Sequence, residues 1–459
     1  AWILISAALV IFMMQPGFAL LESGLVRSKN VLNFILMKNF VDLAIGICVL
    51  AYVLFGYSLA FGDSYGEPGN GFIGNGLVWL FLKFLGVSAA GIQDGTLPDG
   101  LPFFLFQLMF AAKTAATIIS GAVAERIKFS AYLLFSALLG TLVYPPVAHW
   151  VWGELVGGWL AKLGVLVLIL KTKAIDFAGS TVVHIVGGVA GLAAALVLGP
   201  RIGRFPDDET GKPEAIRPHN LPFAVLGTFL LWFGWFGFNA GSALTANGRA
   251  AAIGAGWSTV ARAAVNTNLA AAAGALTWLL ISRLKTGKPT VLGLANGALA
   301  GLVAIGTPAC GVVSPWGALI IGLVAGVLSV LGVKYLTPKL KEKLGIDDPL
   351  DVFPVHGVGG IWGGIAVGIF AAPKVNNIGF PEEYGASTSG ISGGLLYGNG
   401  GFKQLGVQLI GIAVILAYAF GVTFILAKLL GLTLGGKLRV SEEEEKVGLD
   451  LAEHGETAY

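Results

Sequence analysis

Cysteine is nearly absent: 459 residues contain two, Cys48 and Cys310. Both lie in apolar stretches, so neither a disulfide framework nor a thiolate metal site is expected. Histidine is also scarce, at five, and two of them, His184 and His356, lie in apolar stretches and lack further Cys, His or carboxylate ligands at usable spacing. No metal, no cofactor and no enzymatic chemistry are therefore expected. Charge is thin, with Asp, Glu, Lys and Arg at 12% against 55% hydrophobic residues, and the mean hydropathy is +0.80. Those values exclude the soluble globular and disordered classes, and no basic surface for nucleic acid is left. Methionine is missing from position 1, so a preceding segment or a cleaved signal is expected. Glycine, by contrast, is abundant at 68, which suits closely packed transmembrane helices and irregular loops that line cavities. The fold class these numbers point to is an all-α polytopic membrane protein.

Apolar stretches are read at about 1–24, 38–62, 102–124, 129–152, 175–199, 221–244, 255–283, 291–310, 315–336, 352–371 and 402–430, eleven in all. A Gly/Pro/Asp-rich loop separates the second from the third at 63–100. With the N-terminus outside, Arg27/Lys29, Arg126/Lys128, Arg201/Arg204/Lys212/Arg217, Arg283/Lys285/Lys288 and Lys334/Lys339/Lys341/Lys343 all fall on the inner side. That is the positive-inside arrangement, and an odd number of spans carries the C-terminus into the cytoplasm. The expected division is a transmembrane domain at 1–430 and a cytoplasmic segment at 431–459. The acidic run Ser441-Glu442-Glu443-Glu444-Glu445-Lys446 reads most simply as a solvated helix face.

One pattern occurs twice. Val183-His184-Ile185-Val186-Gly187-Gly188 returns as Val355-His356-Gly357-Val358-Gly359-Gly360, with the histidines 172 residues apart and an aspartate upstream of each, Asp176 and Asp351. A repeat at that distance implies two related halves, about 1–199 and 221–371, followed by a final helix. It puts an imidazole inside the membrane twice, where an ionisable group marks a functional site by default. The adjoining glycines let two helices approach closely enough to bring the rings together. Aromatic and polar groups cluster at span ends: Phe106-Gln107-Leu108-Met109-Phe110, the run from Tyr144 to Trp152, and the run from Trp235 to Ser242. Singly these are ordinary interface aromatics. With two buried histidines they suit a small cation, since ring faces attract it, Ser242 accepts its hydrogen bond and apolar rings exclude water.

Six motifs carry a resemblance. GFALLESGLVRSKN (17–30), SGAVAERIKF (120–129), DFAGSTVVH (176–184), GWFGFNAGSA (234–243), DVFPVHGVGGIWG (351–363) and VSEEEEKVGLDLAEHGETAY (440–459) are similar to the ammonium transporter family (Amt/Mep/Rh). The resemblance runs from Gly17 to Tyr459. It implies an eleven-helix pseudo-symmetric bundle with inverted halves, assembled as a homotrimer in the cell (inner) membrane. It also implies that Trp152 and Ser242, with Phe110, recruit ammonium on the outer side. Phe110 and Phe238 would be the gate, His184 and His356 the twin imidazoles of the pore, and Asp176 the carboxylate that structures the entrance. Ammonium would be deprotonated at the gate and ammonia passed along the histidines. The tail would be the segment that meets a PII-type regulator in many members.

Two features depart from the family pattern. Lys113 in Phe-Ala-Ala-Lys-Thr-Ala-Ala-Thr looks like one inserted residue three positions below Phe110. An insertion must be absorbed as a bulge or by turning one helix end through about 100°. A mid-span lysine costs at least about 2.5 kcal/mol unless paired or wetted. The loop between Trp152 and Asp176 is also long, with Leu166 to Lys173 extending it. Two readings stay open: a transporter, or a sensor that binds ammonium and conducts poorly because Lys113 obstructs the pore. The sensor predicts a signalling domain after Tyr459.

Overall fold

Only a helix satisfies every backbone polar group within one segment, which is what apolar runs surrounded by hydrocarbon require. The computed structural model describes residues 1–35, 47–62, 72–74, 100–153, 158–163, 172–204, 216–243, 255–306, 313–372, 393–397, 401–434 and 437–459. Its apolar helices are, in chain order, α1 (Trp2–Leu25), α2 (Cys48–Phe61), α3 (Phe103–Val123), α4 (Phe129–Trp152), α5 (Ser180–Leu198), α6 (Leu221–Ala240), α7 (Val260–Thr286), α8 (Val291–Gly306), α9 (Pro315–Leu344), α10 (Phe353–Phe370) and α11 (Gly401–Thr433). Among the described residues nine are long and apolar enough to cross a bilayer, and the described parts of α2 and α8 are shorter. Among the described residues no strand forms, and one isolated bridge joins Ile127 to Arg439. The expected 63–100 loop lies almost wholly outside the described residues, as do Cys310 and the part of the extended outer loop at 166–171.

The helix bounds follow local chemistry. Asn220 and Ser314 accept from Phe223 N–H and Gly317 N–H, and prolines follow at Pro222 and Pro315, where a missing N–H costs nothing. The apolar pattern of α9 ends near Leu336, yet the helix runs on through Thr337–Leu344 until Gly345, at φ +64°. The largest structural consequence of the repeat is the crossing of α5 and α10. A Cβ added at Gly188 would sit 2.4 Å from Gly357 N, and one at Gly360 would sit 2.5 Å from Ser180 O. The second glycine of each motif is therefore the point where the partner backbone lies, and no other residue fits there.

At the basic-loop end, buried charges tie five segments together. Glu125, at φ +67°, receives Arg27 Nε at 3.0 Å, Arg201 Nη1 at 2.8 Å and Asn30 Nδ2 at 3.0 Å. Asp347 receives Arg201 Nε at 2.7 Å, with Arg204 Nε and Lys341 Nζ each at 3.6 Å. Burial alone would push both carboxyls up. Arg201 with Arg27 overcomes this and holds Glu125 at about 2, and Arg201 with Arg126 holds Asp347 well below the usual carboxylate range.

The C-terminal segment packs on this cluster. It contains α12 (Glu442–Val447) and α13 (Leu449–His454), and Ser441 and Glu444 form a reciprocal cap at its start. The acidic run is only partly a solvated face. Glu442 and Glu443 point outward, but Glu445 is buried, pairing with Arg439 at 2.6 Å and accepting Ile202 N–H at 2.7 Å. Lys29 donates to the carbonyls of Glu445 and Lys446, Leu449 N–H donates to Asn30, and Asn33 N–H donates to Asp450. The segment thus replaces solvent over the ends of α1 and α3.

Candidate functional site

Two carboxylates set the geometry. Asp176 precedes α5, and its oxygens accept from Gly179 N–H at 2.6 Å, Thr181 N–H at 2.9 Å, Val182 N–H at 2.9 Å and the Thr181 hydroxyl. First-turn N–H groups have no partner inside a helix, and a carboxylate there satisfies several at once. Four donors occupy Asp176, which makes it a cap. Its carbonyl also accepts Trp152 Nε1 at 2.6 Å, so the same residue that starts α5 fixes the indole at the end of α4.

The equivalent group before α10 is Asp348, which accepts from Val352 N–H at 3.0 Å and Phe353 N–H at 2.8 Å. This corrects the pairing of Asp176 with Asp351. Asp348 stands eight residues before His356, the spacing of Asp176 to His184, whereas Asp351 occupies the turn with φ +56°.

A continuous line of rings runs inward from Trp152. Its indole lies 5.8 Å from Phe110, and Phe110 is stacked on Phe106 at 4.9 Å and packed against Phe238 at 4.1 Å. Phe238 is 5.7 Å from His184, which stacks on Trp235 at 5.5 Å. His184 and His356 are 5.2 Å apart with planes 16° from parallel, and their Nδ1 atoms are 3.1 Å apart. Phe18 closes the series 6.4 Å from His356. Phe110, His184, Phe238 and His356 each sit in a π-helical turn, Leu108–Ala112, Ser180–Ile185, Phe236–Ala240 and Phe353–Val358. A wider turn re-aims a side chain without breaking the helix; π turns also occur elsewhere in this chain.

A 3.1 Å contact between two ring nitrogens requires one to carry the hydrogen and the other to be bare. The opposite nitrogens then take the complementary states, so the pair presents one donor and one acceptor. Among the described residues His184 Nε2 is buried with no hydrogen-bond partner. A buried, unsatisfied ring nitrogen is costly unless something occupies it.

Ser242 lies one turn beyond Phe238, and its hydroxyl donates to the Phe238 carbonyl at 2.8 Å, which leaves oxygen lone pairs to accept. Lys113 begins the regular helix just after the Leu108–Ala112 π turn. It is buried, and its ammonium donates to Met109 Sδ at 3.0 Å, one turn back toward the Trp152 end. The ring series is assembled with Lys113 in place. No group of three or more His, Cys, Asp or Glu that could hold a metal ion exists among the described residues.

From the sequence Phe106 and Trp235 stood only as members of aromatic runs, and Phe18 and Asp348 had no role of their own. Phe106 is four residues before Phe110 and Trp235 three before Phe238, spacings that share a helix face.

Comparison with known proteins agrees over the full length. The Ammonium Transporter Family model matches residues 1–459. The Ammonium transporter of Bacillus subtilis (strain 168) is 47% identical over 98% of this chain and 96% of its own length. Ammonium transporter Amt2 of Archaeoglobus fulgidus is 46% identical, covering 100% of this chain and 87% of the relative. Among solved structures, a Sensor Amt Protein superposes with TM-score 0.79 at 34% identity, covering 99% of this chain and 97% of the other. Candida albicans Mep2 does so with TM-score 0.76 at 36% identity, covering 100% and 89%. The chain is a multi-pass membrane protein and belongs to the Ammonium Transporter Family.

Proposed function

We propose that this protein carries ammonium across a cell membrane as a homotrimer, recruiting the cation at Trp152 and Ser242 and passing ammonia along His184 and His356. In this reading eleven helices cross the bilayer as two inverted halves plus a final helix. The N-terminus lies outside, and residues 431–459 are cytoplasmic and exposed to a PII-type regulator. The observation that carries it is the 3.1 Å imidazole pair beneath the Phe110–Phe238 stack. Indole and phenyl faces stabilise a cation at the mouth, while tightly packed rings exclude its hydration shell. Below the stack a neutral molecule that both donates and accepts hydrogen bonds matches the donor–acceptor pair of rings. A proton left at the stack takes a separate course.

Uptake in proteoliposomes, measured beside ligand binding, tests this. Flux that saturates with ammonium supports it; binding without flux overturns it. Trp152→Leu weakens ammonium or methylammonium binding by about 0.5–2 kcal/mol, from the loss of one cation–π contact. Calorimetric titration of the intact oligomer measures this, and an unchanged affinity removes Trp152 from the site.

A second reading, a sensor that binds ammonium and conducts poorly, rests on Lys113. A buried cation one turn below the stack repels an incoming one at short range. The contact with Met109 Sδ favours the transporter, because it turns the ammonium back along its own helix. Lys113→Met is accordingly expected to leave uptake within about twofold of the parent, the change of a residue outside the rate-limiting contacts. A gain of about tenfold or more in that variant makes the sensor reading the correct one.

A further inference from the structure

A cavity of about 680 Å³ opens at the basic-loop end, between the last turns of α5 and α11 and residues 437–442. Its walls are of two kinds. Val197, Leu198, Ala427 and Leu432 are apolar, and the outer side of α11 continues that surface through the exposed Ile425 and Leu429. Facing them are Lys428, Lys437 and Arg439. Arg439 is occupied, holding Glu445 at 2.6 Å and the Leu198 carbonyl. The rim carboxylate, Glu442, is paired with Lys446 at 2.6 Å. Lys428 stands over the Phe424 ring at 5.6 Å, and neither Lys428 nor Lys437 has an ion-pair partner among the described residues.

The cavity thus joins a bilayer-facing apolar surface to two available cations at the end of a membrane-spanning helix. That is the depth at which lipid headgroups lie and where long basic side chains extend to meet them. A soluble anion would use the lysines but leave the apolar wall wet. A hydrocarbon chain alone would cover the wall and leave both cations unmatched. One molecule class satisfies both.

We propose that this cavity binds a phospholipid with an anionic headgroup, its phosphate held by Lys428 and Lys437 and an acyl chain laid along the outer face of α11. Bound there, the lipid fastens residues 437–442, which lead directly into α12, to the end of α11. The lipid in that leaflet then governs how firmly the C-terminal segment stays docked. This holds whichever way the chain faces across the membrane and whether it transports or senses.

The test uses the purified full chain in phosphatidylcholine nanodiscs titrated with phosphatidylglycerol. Native mass spectrometry counts retained lipid, and hydrogen exchange follows residues 437–447. The parent retains phosphatidylglycerol, and exchange in 437–447 slows as it is added. Lys428→Gln/Lys437→Gln weakens retention by about tenfold or more and loses the slowing, as expected for removing two cations at an anionic surface. The control Lys285→Gln/Lys288→Gln, equal in charge at another place, behaves as the parent. Equal retention by the first pair of variants, or equal loss in the control, overturns the site. Displacement of the effect by millimolar inorganic phosphate reassigns it to a soluble anion. Crosslinks from Lys437 to a second copy of the chain show that protein, not lipid, fills the cavity. Either result overturns the proposal.

Discussion

His184→Leu is expected to lower ammonium uptake about 5- to 150-fold while the protein stays folded. Leucine fills nearly the same space, so packing against Trp235 and Phe238 survives. What is lost is hydrogen bonding in a buried place. His184 Nε2 has no partner among the described residues, and its Nδ1 meets His356 at 3.1 Å. On the proposed path, a molecule leaving water for this position would give up its own hydrogen bonds and regain them from the imidazoles. Removing one partner costs about 1–3 kcal/mol, the penalty for a polar group buried unsatisfied. In the resting fold two effects oppose: the partnerless Nε2 is replaced by an apolar side chain, while His356 Nδ1 loses its 3.1 Å partner. Thermal stability is therefore expected to change by less than about 3 kcal/mol, and the protein stays folded. His356→Leu should give a similar loss, and the double variant much less than the product of the two, since the rings act as one donor–acceptor unit. His184→Gln, which keeps a donor and an acceptor, should fall between. Proteoliposome uptake across the four variants checks the series. Parental flux in both single leucine variants would remove the pair from the conduit.

The twin histidines were legible because five of the six residues from Val183 and from Val355 match, and both stretches form a π turn. The aspartates were harder. Choosing the acid nearest the second histidine selected Asp351, although the eight-residue register already pointed to Asp348. Helical capping depends on position relative to the first turn, not on proximity. Phe106 and Trp235 were visible only as members of aromatic runs and Phe18 only inside a motif, because an apolar residue in an apolar helix shows no particular partner until the helices are packed. The π turns that aim the rings are likewise unwritten in composition. Lys113 was conspicuous as a charge, yet one contact of its ammonium was decided by the helix itself, since Met109 lies four residues back on the same face. The basic-loop end was the least legible region. Its carboxylates sit at 125 and 347 and their cations at 27, 201, 204 and 341, so no local window holds the cluster.

That cluster carries the largest expected effect on stability: Asp347→Asn should destabilise the protein by about 3–5 kcal/mol, the cost of breaking a buried ion pair from one side. In the parent, Arg27, Arg201, Arg204 and Lys341 share two carboxylates, Glu125 and Asp347. Asparagine keeps the shape but removes half of the negative charge, leaving Arg201 with Glu125 alone. The excess positive charge then lies out of water and close together, where repulsion is weakly screened. Lost packing predicts a different pattern from stranded charge. If charge is the cause, adding Arg201→Met to Asp347→Asn restores part of the loss, because Glu125 keeps Arg27 and the net charge of the cluster returns to that of the parent. If packing is the cause, the double variant is worse than the single. Acid provides an independent measure. Both carboxyls have lower pKa values in the folded protein than in the unfolded chain, so the stability they supply is fully present above about pH 4. It is lost as pH falls through their folded values, about 2 for Glu125 and lower still for Asp347. Thermal melts of the parent should therefore drop steeply between about pH 4 and pH 2 on the side that holds this cluster, and Asp347→Asn should drop less across the same range, having lost one of the two protons taken up. An equally steep drop in that variant would show that other groups carry the acid sensitivity, and an unchanged melting temperature at pH 7 would show that Asp347 is not what holds Arg201, Arg204 and Lys341 in place.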